Sequence, residues 1–189
     1  MQLQLTRISG FFTSRFAGFI PLLLFGLKCW QYRNAADWPQ LLWFCNAANL
    51  ILAVALFLRW GNGVFICTVL LIIGLPIWVF DFIVNGDFHV VSVFTHVLSP
   101  LIGVLAARHI GFSSHAIWQT LLLYVFLQVM ARLLTPAPLN INVAFAIYAP
   151  VAKLFPNFYV YSASNMVGLG LWAWVAHRLL RRRLPVPRA

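Results

Sequence analysis

Five polar or small residues recur at helical spacing within one apolar segment of the chain. They are His89, Ser92, His96, Ser99 and Gly103. At about 100° per residue, these positions fall within an arc of about 80° on one side of a helix. Ionisable side chains within a membrane segment are costly and usually mark a functional site. We therefore predict that this face points into a helix bundle and that His96 is a functional group.

Four other apolar segments carry polar residues of their own. With about 1.5 Å of rise per residue, each segment has one polar residue about 6–10 Å from the same predicted boundary of the membrane. A polar layer drawn from five helices at one depth is a stronger signal than any single residue. The residues at this depth are Asn46, Asp81, His96, Gln128 and Asn165.

The residue types in this layer suggest acyl transfer, because a histidine beside a hydroxyl or thiol is the minimum for that chemistry. Cys45, Thr95 and Ser99 are expected near the depth of His96. We predict that His96 is the general base and that Asp81 orients its imidazole. The alternative is that these residues only bridge helices. The residues predicted to bind a polar substrate group are Asn46, Gln128, Arg132 and Asn165.

We expect neither a metal ion nor a cofactor. His89 and His96 are about 10 Å apart along one helix, too far to share an ion. The three cysteines lack metal-ligand spacing. A haem with two axial histidines needs a second histidine at the depth of His96, and the sequence offers none there. Gly-rich phosphate-binding loops are also absent from the sequence.

The composition requires a membrane around these residues. Of 189 residues, 62% are hydrophobic and 8% are charged, whereas soluble domains carry about 25% charged residues. The formal net charge of +10 comes from residues at the edges of apolar segments and from one C-terminal cluster. Membrane topology explains that distribution better than nucleic-acid binding. We expect one transmembrane domain over residues 1–189 and no nucleic-acid partner.

The elements that position the polar layer are predicted to be six transmembrane helices. The fold class is therefore an all-α integral membrane protein with a six-helix bundle. Short connectors between the segments make consecutive helices antiparallel. Residues 143–155 are too few to span, so we predict a short re-entrant or interfacial segment there. The predicted helices are residues 14–30, 38–58, 63–84, 89–107, 115–134 and 158–177.

The distribution of Lys and Arg predicts the orientation. With the Arg-rich C-terminus in the cytoplasm, nine of the 13 basic residues lie inside. We therefore predict a multi-pass protein of the plasma (inner) membrane with both termini cytoplasmic. Lys28 lies near the outer boundary and is expected to snorkel to it. The other basic residues expected outside are Arg33, Arg132 and Lys153.

Three functions fit these observations. The first is an intramembrane lipid-modifying enzyme, a hydrolase or transferase that acts on membrane lipids from the outer leaflet. The second is a structural or accessory subunit that packs against other membrane-protein subunits, which the small size and the lack of a strong motif favour. The third is a small oligomeric channel or carrier, with Asp81 and His96 as a proton-sensitive pair.

Overall fold

The protein is described here by a computed structural model over residues 15–86 and 89–181. That part of the chain contains six α-helices and no β-strand. Arg7 and the arginines beyond position 181, which count among the nine basic residues predicted inside, lie outside the described residues. The helices are α1 Phe19–Gln31, α2 Phe44–Phe57, α3 Gly61–Asn85, α4 Val90–Ile110, α5 His115–Leu134 and α6 Phe158–Leu180.

Three of these helices are long and apolar enough to cross a membrane. They are Gly61–Val84, Val90–Ile110 and His115–Leu134. Large apolar side chains on their outer faces are uncovered: Leu122 is 68% exposed and Leu133 is 70% exposed. Contiguous apolar surface of this kind does not suit water. The prediction of an all-helical chain with transmembrane helices is confirmed at this level.

The third helix lies at the centre of the bundle. It contacts α2, α4, α5 and α6, and residues on every side of its first half are buried, among them Phe65, Cys67 and Leu70. A helix that is apolar all round is expected to be surrounded by other helices. Gly103 lets α4 pack closely against α3, because a Cβ at position 103 would overlap the side chain of Thr68 in α3.

The two ends of the bundle differ in the length of their connectors. One end, which we call the short-turn end, holds the turns at residues 58–60 and 111–114. There Asn62 Nδ2 donates to Gln119 Oε1 over 2.9 Å, and Asn62 Oδ1 accepts from the Ser113 backbone N–H. These bonds tie the start of α3 to the start of α5. The opposite end, the long-segment end, holds residues 32–43 and 135–157.

The first long segment departs from the predicted helix at 38–58, and the helical turns of the second are all 3-10. α2 begins at Phe44 rather than at position 38, because Trp43 is extended and separates α2 from a 3-10 helix at Trp38–Leu42. Residues 143–155 contain no α-helix but parts of two 3-10 helices, Ile141–Val143 and Ala149–Leu154. Asn140, Asn142 and Val143 all have positive φ, a conformation that a right-handed helix cannot continue through.

Candidate functional site

The predicted polar face of α4 is buried as expected. Ser92, His96, Ser99 and Gly103 are all buried, whereas His89 is exposed and precedes the first turn of the helix. The spacing of three and four residues therefore identified the inward face of α4 correctly, apart from its first member.

His96 is fixed by its own helix and by α3. Its Nδ1 lies 2.8 Å from the backbone oxygen of Ser92, and its ring stacks on Trp78 with centroids 5.0 Å apart. A carbonyl oxygen only accepts, so Nδ1 carries the proton and Nε2 holds the lone pair of the neutral ring. The side chain is 4% exposed. The imidazole is thus oriented by a backbone oxygen.

The hydroxyl groups of α4 bond to groups other than His96. Ser92 Oγ accepts from Lys28, Ser99 Oγ donates to Asn49 Oδ1, and Thr95 Oγ1 donates to the Val91 backbone oxygen. Nucleophilic catalysis needs a hydroxyl or thiol within hydrogen-bond reach of its base. No such bond joins His96 to a side-chain hydroxyl in the described part of the chain.

The expectation that Lys28 snorkels to the membrane interface is wrong. It is 3% exposed and joins α1 to α4, since its Nζ donates to Ser92 Oγ over 2.8 Å and to Gln31 Oε1 over 3.1 Å. The ring of Tyr32 lies 5.2 Å from Nζ and supplies a third favourable contact. Sequence reasoning missed this residue, although the buried positions Pro21, Leu24 and Lys28 have the spacing of one helix face.

Asp81 bonds to the segment at residues 135–157. The hydroxyl of Tyr148 donates to Asp81 Oδ1 over 2.7 Å. Burial, and then the Asp81 carboxylate, raise the pKa of Tyr148 to about 12. The Nδ1 of His96 already bonds to Ser92, so the structure does not pair the two predicted catalytic residues. The bond observed for Asp81 ties α3 to the long segment.

The predicted binding residue Asn46 and its neighbour Asn49 hold backbone groups near the start of α2. Asn46 Nδ2 donates to the Gln40 backbone oxygen over 2.8 Å, and Asn49 Nδ2 donates to the Cys45 backbone oxygen over 2.7 Å. Both side chains are buried. The Asn46 bond joins α2 to the preceding 3-10 helix. The Asn49 Nδ2 bond lies within α2, but Asn49 Oδ1 accepts from Ser99 of α4, so each amide bridges two elements.

The other predicted binding residues lie together on α5 and α6. An open groove of about 250 Å³ separates these helices near the long-segment end. Gln128 Nε2 donates to the Tyr124 hydroxyl over 2.9 Å, and Asn165 contacts the same hydroxyl. Gln128 and Asn165 thus meet at Tyr124, and Gln128 and Arg132 line the same groove. The groove is lined by Val125, Gln128, Val129, Arg132, Phe158 and Ser162.

Arg132 is held at the edge of this α5–α6 groove. Its Nε donates to the Ala144 backbone oxygen over 2.5 Å, and its guanidinium lies over the ring of Phe158, 5.2 Å from the centroid. Arg132 forms no ion pair with any described residue. Its two Nη atoms carry the remaining four N–H donors of the guanidinium. A side chain fixed in this way presents its charge toward the groove at little further cost in entropy.

Asn142 supports the groove from behind, and sequence reasoning missed it. Its side chain is 1% exposed. Its Oδ1 accepts from the Phe44 N–H and its Nδ2 donates to the Leu42 oxygen, both over 2.8 Å. Its φ of 57° is one that asparagine adopts more readily than most residues. Asn142 therefore joins the segment that contacts Arg132 to the start of α2.

No family model, no curated protein and no solved structure matches this chain. Within residues 15–86 and 89–181, no three histidine, cysteine or acidic side chains cluster in a way that could hold a metal ion. The geometry therefore offers two features for function. One is a buried polar layer around Lys28 and His96, and the other is an open groove with an arginine at its edge.

Proposed function

We propose that this chain is a six-span membrane protein that binds the anionic headgroup of a phospholipid in the α5–α6 groove. The 23 residues of α6 would extend about 34 Å, enough to cross the hydrocarbon layer. α1 and α2 would cross together with their flanking 3-10 turns. The Lys and Arg distribution places the short-turn end and both termini in the cytoplasm of a plasma membrane. The groove would then face the outer leaflet.

The observation that carries the proposal is Arg132. Its guanidinium is fixed by Ala144 and Phe158, lies in a groove with Gln128 and Ser162, and has donors left over. A guanidinium matches two phosphate oxygens at once and binds them more strongly than a neutral donor does. Val125 and Val129 supply an apolar wall for the glycerol and the first acyl carbons. A phospholipid would therefore match both the guanidinium at the edge of the groove and its apolar wall.

The same geometry favours lipid binding over lipid turnover. The sequence predicts His96 as a base, but the hydroxyls of α4 bond elsewhere. An enzyme built on His96 would need a water molecule or a substrate hydroxyl at Nε2. Lipid products that form with the wild type and disappear in a folded His96→Ala variant would establish such an activity.

Binding of phosphatidylglycerol to the purified protein tests the proposal. We expect Arg132→Gln to weaken it at least about tenfold, since a hydrogen bond to a charged group contributes about 1.5–3 kcal/mol. The measurement is native mass spectrometry of lipid adducts over a concentration series. Arg33→Gln is the matched control, because Arg33 also lies over an aromatic ring and donates to a backbone oxygen. Equal affinity in both variants would exclude Arg132 as the headgroup ligand.

A further inference from the structure

A second basic pocket lies at the short-turn end of the bundle, opposite the α5–α6 groove. It has a volume of about 400 Å³ and lies where the C-terminal ends of α4 and α6 meet. Its walls combine two arginines with apolar side chains. The lining residues are Ala107, Arg108, Gly111, Phe112, Leu180 and Arg181.

Two buried side-chain nitrogens at this pocket lack hydrogen-bond partners in the described part of the chain. Arg108 Nε is buried and has no hydrogen-bond partner among the described residues, and the same holds for His177 Nε2. His177 is 5% exposed and lies edge-on to Phe112, with ring centroids 5.5 Å apart. Buried polar atoms in folded proteins nearly always have partners. Arg108 Nε can only donate, so its lack of a partner beside this pocket points to a ligand that supplies an acceptor.

The charge of the pocket selects an anion. Each helix C-terminus contributes about −0.5 charge, so the ends of α4 and α6 together offset about half of the +2 from Arg108 and Arg181. Arg108 and Arg181 donate no hydrogen bond to a carbonyl group of the described chain, so their N–H groups are not used to cap the helices. Arg178, on the last turns of α6, stacks on Trp174 and adds positive charge nearby.

We propose that this pocket binds the phosphate of an anionic phospholipid from the adjacent leaflet, which is the cytoplasmic leaflet in the orientation proposed above. Arg108 is the central ligand and Arg181 the second. Phe112 and Leu180 contact the glycerol and the upper acyl carbons. Basic pockets between transmembrane helices on the cytoplasmic side suit such headgroups. The inference shares with the proposed function the location and orientation in the membrane, but it does not depend on the α5–α6 groove.

Phosphatidylglycerol binding to the Arg132→Gln protein isolates this second pocket from the groove. In that background we expect Arg108→Gln to raise the dissociation constant at least about tenfold. The matched control is Arg59→Gln, which removes the same charge from an exposed position at the same end of the bundle. The ratio of the dissociation constants of the Arg108→Gln and Arg59→Gln proteins tests this pocket even when Arg132→Gln by itself has no effect on binding. The two proposals can therefore fail independently.

Two results would overturn the inference. One is an equal loss of affinity in Arg108→Gln and Arg59→Gln, which would mean diffuse attraction to surface charge. The other is binding of inorganic phosphate with no binding of phosphatidylglycerol. Arg108→Lys keeps the charge but loses the fork geometry, so we expect a loss of about threefold. This variant serves as the test when thermal melting shows that Arg108→Gln does not fold.

Discussion

The buried layer around Lys28 and the groove around Arg132 are both basic, yet they differ in how their donors are used. The three N–H groups of Lys28 meet Ser92, Gln31 and the face of Tyr32. Arg132 uses Nε for Ala144 and keeps four donors for a ligand. A buried charge whose bonds are all made within the protein holds helices together. A fixed charge with donors left over can bind a headgroup.

This comparison also changes the meaning of the polar layer. Ser92, Ser99 and Asn49 are engaged in bonds between helices, which leaves little freedom for a substrate. The groove, in contrast, takes its polar groups from two helices and one loop and stays open at its side. The sequence predicts a similar depth for His96 and Gln128, so predicted depth alone does not distinguish a structural layer from a binding site.

The largest expected effect comes from removing the support behind the groove. Asn142→Ala orphans the Phe44 N–H and the Leu42 oxygen, each at about 1–3 kcal/mol, and strains a left-handed residue at about 1 kcal/mol. We expect a loss of about 3–7 kcal/mol from these costs together, measured by SDS-induced unfolding followed by circular dichroism. The exposed Asn34→Ala serves as control. If both variants unfold alike, Asn142 does not hold the segment in place.

A smaller effect tests whether the layer around Lys28 is closed. Ser92→Ala leaves the buried ammonium short of an acceptor and should cost about 2–3 kcal/mol. Lys28→Met replaces the charge by an apolar side chain of similar size and should change stability by less than about 1 kcal/mol. The same unfolding assay compares the two variants. A larger loss of stability in Lys28→Met than in Ser92→Ala would show that the charge of Lys28 itself stabilises the bundle.

The smallest effect concerns the contact between α3 and the long segment. The pKa of Tyr148 is raised from 10.0 to about 12 by burial and by Asp81. The folded protein therefore favours the neutral phenol. The resulting contribution to the free energy of unfolding is complete below about pH 10 and is lost as the pH rises through 12. We expect Asp81→Asn to lower the pKa of Tyr148 toward its ordinary value.

Tyrosinate absorbance measures that pKa. The difference between each protein and its Tyr148→Phe counterpart isolates the band of Tyr148 from those of the other tyrosines. Asp37→Asn removes the same charge from the loop before α2 and should leave the band in place. An unchanged pKa in Asp81→Asn would mean that burial produces the whole shift.

The sequence predicted the local structure well because local rules govern it. Apolar length and short connectors identified six segments, and each overlaps one of the six α-helices of the described chain. The spacing of Ser92, His96 and Ser99 gave the buried face of α4. The limit appears at Trp38–Leu42, which the sequence predicts as the start of a spanning helix. There Pro39 lies at the start of a 3-10 helix, and the extended Trp43 separates that helix from α2.

The candidate site was predictable in part. Gln128 and Arg132 are four residues apart, and their shared face on α5 follows from the helix repeat. The contacts of Arg132 with Phe158 and Ala144 do not follow from the helix repeat, because they join positions distant in sequence. The pairing of Asp81 with His96 was inferred from depth on neighbouring helices. Rotation of each helix about its axis decides which side chains meet, and depth carries no information about rotation.

The sequence by itself therefore determined a helical chain with membrane-spanning helices and the inward face of α4, since composition and periodicity act along the chain. Only the tertiary structure decided which polar residues make all their hydrogen bonds within the protein and which keep donors for a ligand. Lys28 faces α4 because α1 packs with Pro21, Leu24 and Lys28 inward. Arg132 keeps its donors because one backbone oxygen, from Ala144, reaches it. Such partner choices depend on packing between distant segments.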